Sequence, residues 1–258
     1  MADTSSITVG ELLVRCLQLE GVDFMCGIVD GAHIPFVKHT DAYGIRYVNT
    51  RHEEGAVHIA EAYSRLSHKP SVVIGNPGPG AANALAGLTS AHGEGHPVVT
   101  IACTRRASVN SPDRGGAWQA TDLVAMAKPI TKYAGLISRA DRVPDMVRAA
   151  FRAATVGRHG PAFLAIPDEL LNETIDPTTL RLTPASQNRV IDLGSGDPQL
   201  ISQAAELLAN SQRPFIFAGK GVLWAKASDA FMELGDHLAS PMSTTLGARG
   251  AVPEDHPR

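Results

Sequence analysis

From Thr8 onward the apolar positions Val9, Leu12, Leu13, Cys16 and Leu17 recur with the spacing of one helical face, and Thr8 with Glu11 forms a capping box ahead of them. The spacing predicts a helix at the start of the fold. After Gly21 the pattern changes to Val22-Asp23-Phe24-Met25-Cys26, a short apolar run fit for a buried strand and closed by Gly27. Residues 45–48 are a second strand candidate, and Arg51-His52-Glu53-Glu54-Gly55-Ala56 leads a helix to about Arg65. The alternation then repeats with a strand at 71–74, a glycine turn at Gly78-Pro79-Gly80, a helix to about Ala91 and a strand at 97–102. Asp141 opens a stretch whose Val143, Met146, Val147, Ala150 and Ala154 share one stripe, followed by a buried strand at 162–166. Strand and helix alternating at short spacing predict an α/β domain, a parallel sheet with helices on both faces.

From Asp176 to about Asp197 the chain turns to Thr, Pro, Ser, Asn and Gly, which reads as a linker. The expected division is a first domain at 1–180, a linker at 181–197 and a second α/β unit at 198–258. The second unit starts with a helix at 198–209 and a strand at 215–218. A Gly219-Lys220-Gly221 turn, a helix to about Leu238 and a strand beginning at Met242 follow. Its 61 residues fall short of the roughly 100 to 150 of a usual domain, so it reads as the first half of a Rossmann-like one.

Composition narrows the classes of function. A chain that is 44% hydrophobic and 19% charged is neither disordered nor fibrous. A formal net charge of -3 gives no electrostatic reason to expect nucleic acid or a membrane surface as partner. Cys16, Cys26 and Cys103 include no C-x-x-C pair, which points to a reducing compartment and away from a disulfide framework or a zinc site. The polar N-terminus and the lack of an apolar run near 18 residues argue against a signal peptide or a spanning helix, so the expectation is a cytoplasmic protein.

Two segments carry candidate chemistry. In Gly78-Pro79-Gly80-Ala81-Ala82-Asn83, glycines between a strand and a helix let a ligand approach the backbone beside unpaired helix N–H groups; read alone, the segment serves equally as a plain tight turn. In His52-Glu53-Glu54-Gly55, a pair of carboxylates opens an otherwise apolar helix, where the positive helix end favours them; read alone, they serve equally as solvated first-turn acids. His33, His52 and His58 lack the spacing of a metal site.

Taken in order, the motifs resemble the thiamine diphosphate-dependent enzyme family, and within it the acetolactate synthase-like (acetohydroxyacid synthase) branch. Arg51-His52-Glu53-Glu54-Gly55-Ala56 with Ala60-Glu61-Ala62-Tyr63-Ser64-Arg65 resembles the family's H-E-x-x-A and A-E-x-Y-A-R segments. Gly78-Pro79-Gly80-Ala81-Ala82-Asn83 with Gly87 matches its G-P-G-x-x-N-x-x-x-G turn. Gly116-Ala117-Trp118-Gln119 resembles G-A-F-Q, and Lys128-Pro129-Ile130-Thr131-Lys132 stands where the family has R-P-V-T-K. Gly157-Arg158-His159-Gly160-Pro161 with Ile166-Pro167 is similar to the end of the pyrimidine-binding domain, and Arg213-Pro214 through Pro253-Glu254-Asp255-His256-Pro257 to the first half of the central domain.

The resemblance implies a thiamine diphosphate-binding fold and roles for particular residues. Glu53 is implied to hydrogen-bond N1′ of the cofactor's aminopyrimidine and serve in its activation, a general acid–base role. Gln119 is implied to meet the substrate or a bound intermediate, with Trp118 as a larger substitute for the usual Phe in the apolar wall. Gly78 and Asn83 are placed near the pyrimidine. Cys26-Gly27-Ile28-Val29-Asp30-Gly31-Ala32 departs from the family's F-G-x-P-G-G-A, with Val29-Asp30 in place of Pro-Gly. This loop puts Val29 and Asp30 at the cofactor and Gly31, Ala32 and His33 at the substrate. Gly31 stands where simple 2-keto acid decarboxylases carry an Asp that helps protonate the intermediate; without it the intermediate survives to attack a second carbonyl, which favours carboligation. Arg105 and Arg106 are candidates for holding a substrate carboxylate.

The family holds the diphosphate through Mg²⁺ on a third domain bearing Gly-Asp-Gly and a later Asn. No Gly-Asp-Gly occurs here, and no metal ligand is expected in these residues. The expectation is one subunit of a split carboligase in a heterotetramer or larger assembly. A second subunit would carry the diphosphate domain, and the substrate would be a 2-keto acid such as pyruvate. FAD, which acetolactate synthases carry across the central domain, is a further candidate cofactor. The alternatives are another thiamine diphosphate enzyme, sulfoacetaldehyde acetyltransferase-like or 2-hydroxyacyl lyase-like, or a non-catalytic scaffold that kept the fold.

Overall fold

Thr8 Oγ1 accepts the backbone N–H of Glu11 at 3.1 Å, which starts helix α1 (Val9–Leu19) where the capping signal places it. A computed structural model of the chain describes residues 6–110, 118–189 and 195–258. Behind α1 comes β1 (Phe24–Gly27), every residue of which is buried. β2 (Arg46–Asn49), α2 (Glu53–Ser67), β3 (Ser71–Gly75), α3 (Pro79–Glu94) and β4 (Val98–Thr104) follow. Then come β5 (Tyr133–Leu136), α4 (Val143–Thr155) and β6 (Ala162–Pro167).

The six strands form one parallel sheet in the order β2-β1-β3-β4-β6-β5. Their side chains alternate between two cores. Val72 and Ile74 of β3 and Val99 and Ile101 of β4 face one side, with Leu12, Leu13, Leu17, Val147 and Phe151 of α1 and α4. Val73, Val98 and Ala102 face the other, with Val57, Ala60, Ala84 and Leu88 of α2 and α3. Runs that are buried at every position, such as Ser71–Gly75 and Ala162–Pro167, mark strands covered on both faces. Helices α2 and α3 pack closely because Gly87 has no side chain: a Cβ there would lie 2.8 Å from Val57 Cβ.

The structure adds β5 and a two-residue antiparallel pairing of Ile7–Thr8 with Ile175 and Thr174, neither of which the hydrophobic pattern predicts. Asp141 lies in a single 3₁₀ turn, and the regular helix starts at Val143. All three cysteines are free and buried.

By internal contacts the chain divides into two units, Met1–Ile191 and Asp192–Arg258. The early part of the expected linker is bonded to the first unit. Arg148 Nη1 of α4 donates to the Arg181 carbonyl at 2.7 Å, and Arg152 Nη2 to the Asn188 carbonyl at 3.2 Å. Residues 190–194 of that linker lie outside the described residues. In the second unit Asp197 caps α5 (Pro198–Ala209), accepting the Gln199 N–H at 2.8 Å. There β7 (Ile216–Ala218) pairs in parallel with β8 (Met242–Thr244), and α6 (Ser228–His237) comes between them in sequence. The glycine turn after β7 leads into a short helix, Gly221–Trp224, before α6, where the sequence suggested one continuous helix.

Candidate functional site

The chain lays β2 on one side of β1, crosses back, and lays β3 on the other side. The loops leaving the carboxyl ends of β1 and β3 therefore diverge, and in open α/β sheets such a switch point is where a crevice for a ligand forms. Most of the residues singled out in the sequence lie on these two loops or at the helix starts beside them.

At the end of β1 the Gly27 carbonyl accepts the N–H of Thr50 and the hydroxyl of Tyr47, each at 2.8 Å. Burial pushes the Tyr47 hydroxyl well up, which keeps it a donor. In the loop that follows, Val29 and Ala32 pack half-buried against the core, and Gly31 is exposed. Asp30 turns the chain: its Oδ1 accepts the Ala32 N–H at 2.9 Å and its carbonyl the His33 N–H at 3.1 Å. The Asp30 side chain is 32% exposed. Burial works to raise its pKa, but the His33 ring and the backbone N–H groups of Ala32 and His33 outweigh it and hold the carboxyl below the usual range.

His33 is 0% exposed. Its Nε2 lies 3.1 Å from the Gly75 carbonyl at the end of β3, and its Nδ1 approaches Asp30 Oδ1 obliquely at 2.8 Å. The ring thus lies inside the protein, whereas the contact with substrate expected of it needs an accessible face. Asp30 is the member of this pair that reaches outward.

Across the switch point, Glu53 is the first residue of α2 and 5% exposed; it is no solvated first-turn acid. Its Oε2 accepts Asn83 Nδ2 at 3.1 Å, so Asn83 serves Glu53 rather than capping its own helix. Among the described residues Oε1 has no donor. His52 caps α2 through Nδ1, which accepts the Glu54 N–H at 3.3 Å, while Glu54 is half-exposed. Helix α3 starts from Gly78 at φ +67°, ψ -110°. A Cβ on Gly78 would stand 2.8 Å from the Gln119 carbonyl oxygen, and one on Gly80 would stand 2.8 Å from Glu53 Oε1. These two glycines therefore let Gln119 and Glu53 crowd against the start of α3.

Glu53, Gly78, Gly80, Asn83 and Gln119 come from three separate stretches of sequence and form one cluster. Trp118 stands apart, 81% exposed; its expected place in an apolar wall is not made by the described residues. Gly116 and Ala117 of that motif lie outside the described residues. Arg105, at the carboxyl end of β4, already donates to Asp168 Oδ2 at 3.2 Å, whereas Arg106 is exposed.

Sequence reasoning passed over one polar cluster. Glu61 on α2 is 6% exposed and accepts His58 Nδ1 at 2.8 Å, His96 Nδ1 at 3.2 Å and Ser90 Oγ at 3.2 Å. The available signal was His58 and Glu61 three residues apart on one helix face. Among the described residues no group of three or more His, Cys, Asp or Glu side chains is arranged to hold a metal ion. No helix among them is long and apolar enough to cross a membrane.

A parallel sheet with a buried carboxyl and a glycine turn at its switch point defines a ligand-binding α/β domain. Comparison with known proteins narrows the class. Residues 7–126 match the thiamine pyrophosphate enzyme N-terminal TPP-binding domain, and residues 201–258 the thiamine pyrophosphate enzyme central domain. The chain belongs to the thiamine pyrophosphate enzyme family. It is 33% identical over 253 residues to a probable acetolactate synthase large subunit of Methanocaldococcus jannaschii, covering 96% of this chain and 42% of that protein. It is 31% identical over 251 residues to an acetolactate synthase of Arthrospira platensis, covering 95% and 42%. It is 29% identical over 251 residues to the acetolactate synthase large subunit of Haemophilus influenzae, covering 94% and 42%. The chain thus spans about two fifths of the length of these relatives.

Proposed function

We propose that these residues form the pyrimidine-binding part of a thiamine diphosphate-dependent carboligase that acts, like acetolactate synthase, on a 2-keto acid such as pyruvate and a second carbonyl compound. The observation that carries this reading is the Glu53 carboxyl, sunk at the start of α2 with one oxygen fixed by Asn83. Its other oxygen lies against Gly80, where a Cβ would stand only 2.8 Å away.

The residues fit the group. Glu53 would hold a proton at N1′ of the aminopyrimidine, and Asn83 sets the direction in which Glu53 points. Gly78 and Gly80 let Gln119 and Glu53 press against the start of α3, from which the Gln119 amide would meet the substrate. Gly31 leaves open a place where a decarboxylase would deliver a proton. When bound, the cofactor supplies the acyl-anion chemistry; this chain orients the ring and manages the proton on N1′.

Mg²⁺ and the diphosphate would be held by a domain carrying Gly-Asp-Gly, a motif these residues lack. A separate partner subunit is the form proposed for that domain, and FAD remains a candidate for the central domain. The test combines the chain with a diphosphate domain of an acetolactate synthase, supplied as a second chain or joined to this one. Acyloin formation from pyruvate should then depend on thiamine diphosphate, and Glu53→Gln should lower turnover by about a hundredfold or more. Full activity of Glu53→Gln would overturn the assignment. No turnover with any carbonyl acceptor, in an assembly that binds the cofactor, would favour the scaffold reading.

A further inference from the structure

The loop after β1 is fastened to the ends of two other strands. The Ala32 carbonyl lies 3.5 Å from Cys103 Sγ of β4, and His33 Nε2 lies 3.1 Å from the Gly75 carbonyl at the end of β3. On this fixed base Asp30 Oδ1 accepts the Ala32 N–H at 2.9 Å. The other oxygen, Oδ2, meets no donor among the described residues, and the side chain is 32% exposed. The carboxyl is thus pinned by one oxygen and offers the other. Space for a ligand lies beside it: Gly31 is exposed, and nothing stands within 4 Å of the place of a Cβ there. Arg105, at the end of β4, bonds Asp168 and not Asp30. In the family's F-G-x-P-G-G-A pattern the position of Asp30 is a glycine, which offers a ligand no side chain.

We propose that Asp30 selects the second substrate: its free oxygen hydrogen-bonds a hydroxyl on an uncharged aldehyde and turns away a second 2-keto acid. This rests on the carboligase reading above and assigns Asp30 to the substrate rather than to the cofactor. In such a ligation the bond between the donor's keto carbon and its carboxylate breaks and CO₂ leaves. The electron pair forms the new bond to the aldehyde carbon, and the aldehyde oxygen takes up one proton, giving a hydroxyketone. A carboxylate oxygen only accepts hydrogen bonds, so Oδ2 fits an O–H. Against another carboxylate it has no proton to share and the two charges repel. A half-exposed aspartate is ionised near neutral pH, and Oδ2 carries only lone pairs whichever state the buried His33 ring adopts. One such charge discriminates between acceptors by roughly tenfold.

The assembly of this chain with a diphosphate domain tests the assignment. Pyruvate serves as donor, and glycolaldehyde, an uncharged hydroxyaldehyde, competes as acceptor with a second pyruvate. Wild type should favour glycolaldehyde. Asp30→Asn keeps an oxygen for the Ala32 N–H, so the turn stays closed, and it should cut that preference roughly tenfold, chiefly through a lower KM for pyruvate as acceptor. Asp30→Gly should shift the choice in the same direction. Added salt should weaken the wild-type preference and leave that of Asp30→Asn unmoved. An aspartate that merely shapes the loop would not alter the choice of acceptor, so an unchanged ratio in Asp30→Asn overturns the proposal. Wild type that prefers pyruvate as acceptor overturns it and spares the proposed function. No product with either acceptor, in an assembly that binds the cofactor, overturns both.

Discussion

At Gly78 the chain takes a positive φ with the Gln119 carbonyl pressed against the place a Cβ would occupy. Gly78→Ala should cost about 2 kcal/mol from backbone strain, with a further loss from displacing Gln119, read as a lower urea midpoint. Gly31→Ala is the control, because nothing lies within 4 Å of its Cβ position and its φ is not in the left-handed region; its midpoint should stay within about 0.5 kcal/mol of wild type. The sequence marks Gly78 as a turn, but that it turns to make room for Gln119, 41 positions along, is visible only in the fold. The same divide separates Glu53 from His33. A carboxylate at the head of a helix carries its own signal, whereas a histidine in a loop shows nothing of the two oxygens that will enclose its ring. The cysteines are simpler. Burial pushes the Cys16 and Cys26 thiols up to about 12, as expected of small apolar residues in a core.

Helices α2 and α3 are joined by more than apolar contact. Glu61 on α2 receives Ser90 from α3 and His96 from just beyond it. Burial would raise the Glu61 pKa, but His96, His58 and Ser90 outweigh it and hold the carboxyl below the usual range. A depressed folded pKa contributes stability that is present above the unfolded value, about 4.3, and is lost as pH falls through the folded one. Glu61→Gln should therefore cost about 2 kcal/mol near neutral pH and flatten the acid-side fall in stability, as read from urea midpoints across pH. The helices were legible because each repeats a period over many residues, and the central strands because they are short apolar runs bounded by turn residues. β5 was not: Tyr-Ala-Gly-Leu is short, holds a glycine and lies at the sheet edge, half-buried to exposed. It becomes a strand because β6 offers it a ladder to join, and that offer is tertiary.

The composition that suggests a linker from residue 181 is real, yet arginines bind its first part to the domain. Arg189 is 11% and Glu20 3% exposed; their charged atoms lie 2.9 Å apart, and Arg189 Nη2 also donates to the Glu20 carbonyl at 3.2 Å. Burial raises the Glu20 pKa and lowers that of Arg189, so desolvation outweighs the attraction between them. Arg189→Met alone leaves a buried acid unpaired and should cost about 3 kcal/mol, whereas Glu20→Leu with Arg189→Met should recover most of it. A double-mutant cycle of urea midpoints checks this. At the opposite edge, the Val9 N–H donates to the Glu173 carbonyl at 2.8 Å beside the short pairing of Ile7–Thr8 with Thr174–Ile175. The first and last pieces of the sheet domain are therefore neighbours in space, and a unit closed in this way is a module. A permutant that joins Asp176 to Ser6 by a few glycines and opens at exposed Ala42 should still melt cooperatively, but below the parent, because it lacks Arg189 and leaves Glu20 unpaired. Such a domain can be moved from one polypeptide to another at a single point of attachment, so recombination can reassort it among enzymes without rebuilding its sheet.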